Sequence, residues 1–267
     1  MATQTGLIKF TGQVGGLIGY KVGAAYYLRS AAQQVRQSAR TRLAARAFGK
    51  ASTLGAAMRH ALNGQLDGPA DSAAVNRLNK ALLGVLQADD LHRHKRFAPR
   101  NFKSLNGFCF NQHAALSDVI AVTPAVHRDG NGHIHVTIPP MEAGNYNPRA
   151  THLSIKAVAV HMQPGFDRAT STSSGAALIP IGLPAREITL VVPAEKGAIS
   201  CVLLEVVCCR KEGGRMYQLQ NRKYTATDII AILPGRTLRV KRKKMLRTRN
   251  ERLQLLPEPL VDFYPRE

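Results

Sequence analysis

The chain has 267 residues, of which 45% are hydrophobic, so it is long enough for one large domain or two small ones around a packed core. Its formal net charge of +20 indicates a polyanion, an acidic partner or an acidic neighbouring surface that neutralises the excess. The four cysteines lack the spacing of a disulfide framework and no secretory signal pattern precedes them, which predicts reduced thiols in a cytoplasmic protein or an assembled particle.

The N-terminal stretch, residues 6–30, places glycines among β-branched and aromatic residues. Glycine at this density weakens an isolated strand, but it is tolerated where the chain bends or where another backbone approaches closely. The apolar residues between the glycines favour extended structure. The stretch is therefore predicted to form a glycine-rich β arm over residues 1–30, as a β-hairpin or a pair of short strands.

Sharper functional interpretations of this stretch fail on spacing. The glycines do not form the phosphate-binding motif G-x-x-x-x-G-K-[ST] or the dinucleotide motif G-x-G-x-x-G. Lys9 and Lys21 interrupt any membrane-spanning run, and the unbroken apolar core of a signal peptide is missing. Two alternatives remain: a surface hairpin of one domain, or an arm that pairs with a neighbouring subunit. The residues expected to make that subunit contact are Gly12, Gly15, Gly16, Gly19, Tyr20, Tyr26, Tyr27 and Arg29.

Residues 31–100 read as a helical, basic region. Apolar residues recur at spacings of three and four from Leu43 to Leu62, with Ser38 as the expected N-cap, and residues 72–87 form a second amphipathic pattern. The two segments predict an αα-hairpin. The first helix carries a basic ridge that has no acidic partner four residues away, which favours an external anion: Arg36, Arg40, Arg42, Arg46 and Lys50.

From about residue 119 the hydrophobic period changes to two. Short strand candidates are separated by turn signals, among them residues 129–132, 139–140, 171–175 and 213–214. This pattern predicts an antiparallel β-sandwich of immunoglobulin or fibronectin-III type over residues 101–235, and the expected fold class is α+β.

Few residues carry recognisable chemistry. His133 and His135 share one face of a predicted strand, with His127 across the expected hairpin, and this is the one arrangement with the spacing of metal ligands. No carboxylate or cysteine evidently completes it, so the expectation is that no metal binds. No nucleophile motif or paired carboxylates support an enzyme. We expect no cofactor and no small-molecule substrate.

The C-terminal extension, residues 236–267, begins with a dense basic run and ends with an apolar segment. The run indicates a polyanion-binding tail or a strand with basic side chains in solvent, and the apolar end favours a docked segment. The cations expected to contact a polyanion are Arg239, Lys241, Arg242, Lys243, Lys244, Arg247 and Arg249.

The motif Gly12-Gln13-Val14-Gly15-Gly16-Leu17-Ile18-Gly19, followed by Tyr27-Leu28-Arg29-Ser30, resembles the N-terminus of a family of uncharacterised Bacteroidota proteins, a domain of unknown function. The resemblance implies an arginine-bearing helix and one or two β-sandwich modules, and it implies no activity or site residues. The chain departs from the family where Ala31 to Gln34 replace a proline-rich step, and where the basic extension follows the last strand.

Two functions follow as expectations. In the first, the chain is a structural, self-assembling protein, such as a filament, tube or phage-like virion component, in which the arm adds to the sheet edge of a neighbouring subunit. In the second, the basic helix and the basic C-terminal run bind DNA or RNA through its backbone without reading its sequence. A homo-oligomer is expected in the first case.

Overall fold

A computed structural model describes residues 2–32, 37–69, 71–92, 94–141 and 146–235. It contains helices and sheets in one chain, and all its strand pairs are antiparallel, which confirms the α+β class. The predicted extension from residue 236 onward, with all seven of its expected cations, lies outside the described residues, as does Arg36.

The N-terminal segment forms a sheet of its own with four strands in the order β1-β4-β3-β2. The extended structure predicted for this segment is present as four strands, more than the single hairpin or pair of strands expected. None of the four strands packs extensively against a helix or strand of the remaining described chain, and neither hydrophobic core includes a residue before Ala51. The strands are β1 (Ala2–Thr3), β2 (Gly12–Val14), β3 (Leu17–Val22) and β4 (Ala25–Ser30).

Two helices follow, α1 (Ala39–Leu62) and α2 (Ala74–Gln87), and they pack against each other. Ser38 is the N-cap of α1, since its side chain accepts a hydrogen bond from the backbone N–H of Thr41 at 3.1 Å. The apolar stripe of α1 is buried only from Ala51 onward. Its first three turns extend beyond the body, so the predicted stripe, which starts at Leu43, begins eight residues before the face that the body covers.

The C-terminal half forms two sheets. Three strands pair in the order β10-β6-β5, and six strands form a sheet centred on two long neighbours, β7 and β11. A short helix, α3 (Leu116–Val119), precedes them. The strands are β5 (Ala125–Arg128), β6 (His133–Ile138), β7 (His152–Met162), β8 (Ala169–Ser173), β9 (Ala177–Pro180), β10 (Ile188–Pro193), β11 (Ile199–Glu212), β12 (Arg215–Gln218) and β13 (Thr225–Leu233).

The six-stranded sheet lies between two layers. One face packs against α1, α2 and the 3₁₀ turn Pro99–Leu105, around residues such as Leu54, Phe102 and Leu203. The other face packs against the three-stranded sheet, around residues such as Ile134 and Val206. Because β7 and β11 are covered on both faces, their sequences are apolar at most positions rather than only at alternate ones.

Two local predictions differ from the structure. The strand expected from residue 119 begins only at Ala125, because residues 116–119 form α3 and the chain bends at residues 121–122. The turn expected at residues 171–175 is occupied by the end of β8. The serines and threonines there belong to this edge strand, and the Ser171 hydroxyl donates a hydrogen bond to the Ala61 carbonyl at 2.6 Å. The immunoglobulin or fibronectin-III topology is not confirmed, and a helical layer covers the outer face of the larger sheet.

Candidate functional site

The glycine-rich segment owes its fold to two tight turns. Two residues connect β2 to β3, and two connect β3 to β4. The first residue of each connection, Gly15 and Gly23, has a φ of +57° and +61°. A left-handed residue at the first central position matches the twist of two-residue hairpins, and glycine adopts it without strain.

Gly19 is required for a different reason, the close approach of Phe10. An added Cβ on Gly19 would lie 2.5 Å from the Phe10 carbonyl oxygen and 2.9 Å from its ring. Gln4 holds Phe10 in this position, since its Nε2 donates to the Phe10 carbonyl at 3.0 Å and its Oε1 accepts from the Phe10 N–H at 2.9 Å. The Phe10 ring therefore packs directly on the backbone of β3 at Gly19.

The expected contact residues of the arm are distributed over both faces of the sheet. Tyr20 and Tyr27 stack with their ring centroids 5.7 Å apart on one face. On the other face the ammonium groups of Lys9 and Lys21 lie 5.6 Å and 5.3 Å from the centre of the Tyr26 ring. The three tyrosines are half-buried inside their own sheet. By contrast, an added Cβ at Gly12, Gly15 or Gly16 would meet open space, and Arg29 is exposed.

The same sheet carries aliphatic side chains with little cover. Leu7 is 106% exposed and Ile8 88% in the loop between β1 and β2. The remaining three lie on the strands and are also exposed: Val14, Leu17 and Val22. Val14 and Leu17 pair across β2 and β3 and share a face, whereas Val22, five residues after Leu17 on β3, points to the opposite face. We call these five residues the aliphatic cluster.

The first three turns of α1 bring the predicted basic ridge into solvent. Arg40, Arg42, Arg46 and Lys50 are all exposed, and none forms an ion pair with a described acid. Apolar side chains accompany them without cover, Leu43 at 48% exposure and Phe48 at 54%. Four of the five predicted ridge residues lie on these turns: Arg42, Arg46 and Lys50 share one face of α1, whereas Arg40 lies about 200° around the helix from Arg42.

A second basic element lies beside this ridge, in the loop after α2. Here residues 89–92 and 94–96 fold around the Asp89 carboxylate, which accepts hydrogen bonds from the backbone N–H of Leu91 and Arg96 and from the His92 ring. Burial raises the pKa of Asp89, but these hydrogen bonds outweigh it and lower the pKa to about 2. The Nζ of Lys50 donates to the Lys95 carbonyl at 3.0 Å and joins the loop to α1.

The histidine arrangement is present, and it includes a carboxylate that sequence reasoning missed. His127 and His135 pair across β5 and β6, and their rings stack 4.9 Å apart with an 8° tilt. Asp129 accepts from His135 at 3.0 Å, and this hydrogen bond comes first among the causes that lower the pKa of Asp129 to about 2. Parallel stacked rings direct their nitrogen lone pairs in parallel planes rather than toward one point. The described residues contain no group of three potential ligands that could hold a metal ion.

A chain of hydrogen bonds crosses between the two sheets at one end. Arg128 Nη2 donates to Ser200 Oγ at 2.6 Å, and Ser200 contacts His161 Nδ1 at 3.0 Å. Thr172 donates to the Pro193 carbonyl, so its oxygen accepts from His161 Nε2 at 2.8 Å. Burial lowers the pKa of His161 and favours the neutral ring that this chain requires. The serine–histidine pair is sealed from solvent, so it holds the sheets together rather than attacking a substrate.

A buried ionic cluster anchors the loop between α1 and α2. The Glu205 carboxylate, on β11, accepts from the backbone N–H groups of Asp67 and Gly68 at 2.9 Å. Lys156, opposite it on β7, lies 3.6 Å from Glu205 and 2.5 Å from Asp67. Burial raises the pKa of Glu205, and the two backbone N–H groups counteract that rise. These groups satisfy one another and attach the helical layer to the sheet.

No family model, curated protein or solved structure matches this chain. The resemblance to the Bacteroidota family therefore depends on the N-terminal motif alone and stays a prediction. Within the described ranges, none of the helices is both long and apolar enough to cross a membrane.

Proposed function

We propose that this protein is a structural, self-assembling protein whose N-terminal sheet binds a neighbouring subunit. The aliphatic cluster carries the proposal, because its side chains lie on a sheet that the rest of the described chain does not cover. Each square ångström of apolar surface removed from water contributes roughly 25 cal/mol, so burial of five such side chains favours association. A filament, a tube or a virion-like shell would provide that cover in every subunit.

The geometry of the sheet suits strand addition. β1 and β2 are its two edges, and each has an open side whose backbone groups can pair with another strand. A one-layer sheet of this size gains stability from an added strand or an opposing sheet. Leu43 and Phe48 on the first turns of α1 are exposed as well, so they add apolar surface that association can bury.

The test is a variant that removes the two most exposed side chains of the aliphatic cluster without changing the packing of the subunit. Leu7→Ser combined with Ile8→Ser changes two side chains that have almost no cover, so we expect the monomer to melt at the same temperature. Electron microscopy and light scattering of the purified protein should show particles or filaments for the wild type and monomers for the variant. Leu178→Ser, at a 51% exposed position on β9, is the matched control and should assemble normally.

A deletion of residues 1–30 provides a second measurement. Because neither core includes a residue from this segment, the truncated chain should keep its cooperative unfolding transition while losing its assemblies. Assemblies that persist in both the truncated protein and the Leu7→Ser, Ile8→Ser variant would show that the N-terminal sheet is not the connector. Nuclease treatment of all samples separates assembly through protein contacts from assembly on a nucleic acid.

A second function, sequence-independent binding of DNA or RNA, is favoured by one specific observation. The basic ridge of α1 and the basic loop 89–96 lie side by side, joined by the hydrogen bond between Lys50 and the Lys95 carbonyl. Unpaired cations on adjoining elements neutralise phosphates and release counterions, so such binding would weaken steeply as salt increases. A bound nucleic acid would also reduce the repulsion among the +20 charges of each subunit.

A further inference from the structure

One cavity lies where the basic ridge, the basic loop and the body meet. It measures about 480 Å³ and opens between the side of α1, residues 96–97 and the turn that connects β7 to β8. Its lining combines two cations with two aromatic rings: Lys50, Arg96, Phe97 and Phe166. We call it the aromatic–basic cavity. A volume in this range accommodates a small organic ligand, including one nucleotide.

The backbones of Lys50 and Arg96 are fixed by the fold, and their charged groups can still bind an anion. Arg96 donates its backbone N–H to the buried Asp89 carboxylate at 2.9 Å, which fixes the start of its side chain. Its guanidinium has no partner among the described residues. Lys50 uses one of its three ammonium hydrogens for the Lys95 carbonyl, so two remain for an anion.

The aromatic side of the cavity contains an unusual backbone conformation. Phe166 has a φ of +56°, and of the non-glycine residues that the structure describes it is the one with a left-handed backbone. Its N–H donates to the Gln163 carbonyl at 2.8 Å, so it follows a tight turn where glycine normally stands. The ring stacks on Phe102 with centroids 5.1 Å apart and lies 5.4 Å from Phe97. The strain is offset by an aromatic wall that glycine would not provide.

We infer that the aromatic–basic cavity binds one nucleotide of a single-stranded nucleic acid, with its phosphate at Lys50 and Arg96 and its base against Phe97 and Phe166. This inference rests on the second function, nucleic-acid binding, and gives it a site and a substrate class. Aromatic rings bind bases of any sequence, which suits a protein without a base-reading motif. A duplex does not fit, because its bases stay stacked inside the helix and cannot reach the rings.

The basic ridge indicates the path that a bound nucleic-acid strand would follow from the cavity, along the axis of α1. Successive cations at Arg42, Arg46 and Lys50 are spaced four residues apart, which is about 6 Å along the helix axis. Asp167 is the one acid in the lining, and its side chain folds back toward Gly165. It repels a phosphate at this position, so the inference predicts that Asp167→Asn tightens binding of a single strand.

The experiment uses the full chain and a fluorescently labelled twelve-residue oligothymidine, with a duplex of equal length and thymidine monophosphate as comparison ligands. Affinity is measured by anisotropy over a series of salt concentrations. We expect the single strand to bind more tightly than the duplex, and the mononucleotide to bind far more weakly than either. Phe97→Leu should lower the affinity for the single strand by about 5- to 150-fold and leave the salt slope unchanged.

Variants that remove positive charge test the phosphate contacts through the salt dependence of binding. Lys50→Gln with Arg96→Gln should reduce the slope of log affinity against log salt by about 0.7 for each phosphate that the variant no longer neutralises. Lys211→Gln with Lys223→Gln removes the same charge from exposed positions away from the cavity and is the matched control. Because Lys50, Arg96 and Asp167 are exposed, their variants stay informative even if Phe97→Leu fails to fold.

Two outcomes overturn the inference, and they are distinguishable. If the wild type binds no nucleic acid in low salt, the second function fails and the cavity site fails with it. If the wild type binds but the cavity variants match the control in affinity and salt slope, nucleic-acid binding stands and its site lies elsewhere. Tighter binding of the mononucleotide than of the single strand would also contradict a strand-binding role.

Discussion

Gly19 is required because a side chain there would collide with Phe10, not because its backbone needs a conformation that only glycine adopts. An alanine there would place its Cβ against the Phe10 carbonyl and ring, which cannot withdraw while Gln4 binds the same peptide group. We expect Gly19→Ala to lower the opening free energy of the N-terminal sheet by about 1–3 kcal/mol, measured by hydrogen exchange of strand amides. Gly16→Ala is the control, because its Cβ would meet no atom within 4 Å and should cost less than about 0.5 kcal/mol.

Asp89 and Asp90 are neighbours in sequence with opposite environments. The Asp89 side chain is 1% exposed and accepts several hydrogen bonds, whereas that of Asp90 is 75% exposed and pairs only with Arg100. The pKa of Asp89 is lowered from 3.8 to about 2, so its ionised form stabilises the fold above about pH 4, and this contribution is lost as the pH falls toward 2.

Thermal melting at several pH values tests this difference. Asp89→Asn should lower the melting temperature at neutral pH, and the gap between wild type and variant should close between about pH 4 and pH 2. Asp90→Asn should change the melting temperature little at any pH. A gap of constant size down to about pH 2 would mean that the hydrogen bonds of Asp89 do not depend on its charge.

At the scale of elements, α1 has two halves with different surroundings. Leu54 is fully buried against the sheet, and Leu43, three turns earlier on the same stripe, is 48% exposed. Leu54→Ala should cost about 2–5 kcal/mol of unfolding free energy in urea denaturation. Leu43→Ala should cost less than about 0.5 kcal/mol, since its side chain is not packed into either core. Equal losses of stability would mean that the first turns of α1 also pack in the free subunit.

Periodicity predicted the elements whose sequences carry a strong signal. Ser38 as N-cap and the α2 pattern follow from the local sequence of the helices. β7 and β11 are apolar at most positions rather than at alternate ones, which indicates a sheet covered on both faces, but the helical layer over them was not predicted. β8 was missed because an edge strand rich in serine and threonine resembles a turn when only composition is considered.

The sequence predicted those parts of the candidate site that lie within one helix, but not the contacts between separate elements. The ridge of α1 is visible in the sequence because residues four apart share a helix face. Its meeting with residues 89–96 depends on how α2 returns the chain, which no local pattern encodes. The same limit explains why Asp129 was not recognised as the partner of His135: the hairpin register brings the two side chains together.

At the scale of the whole molecule, the packed hydrophobic cores and the exposed apolar and basic side chains belong to different regions. The body has two hydrophobic cores, whereas the aliphatic cluster and the basic ridge both lie outside these cores. This division suits a subunit that folds first and associates afterwards. Salt should therefore affect nucleic-acid binding strongly and the unfolding of the body weakly, because the cations of the ridge are not part of its packing.

The double cover of β11 has a consequence for the chain before it folds. From Ile199 to Cys209 the strand is apolar and β-forming, with Glu205 as its one charged residue. Until the helices and the second sheet close over it, this segment could pair with the same segment of another chain and aggregate. The ionised Glu205 interrupts the run and opposes such pairing. A carboxylate that is costly to bury in the folded subunit thus protects newly made chains, and the backbone N–H groups of Asp67 and Gly68 offset its burial once folding is complete.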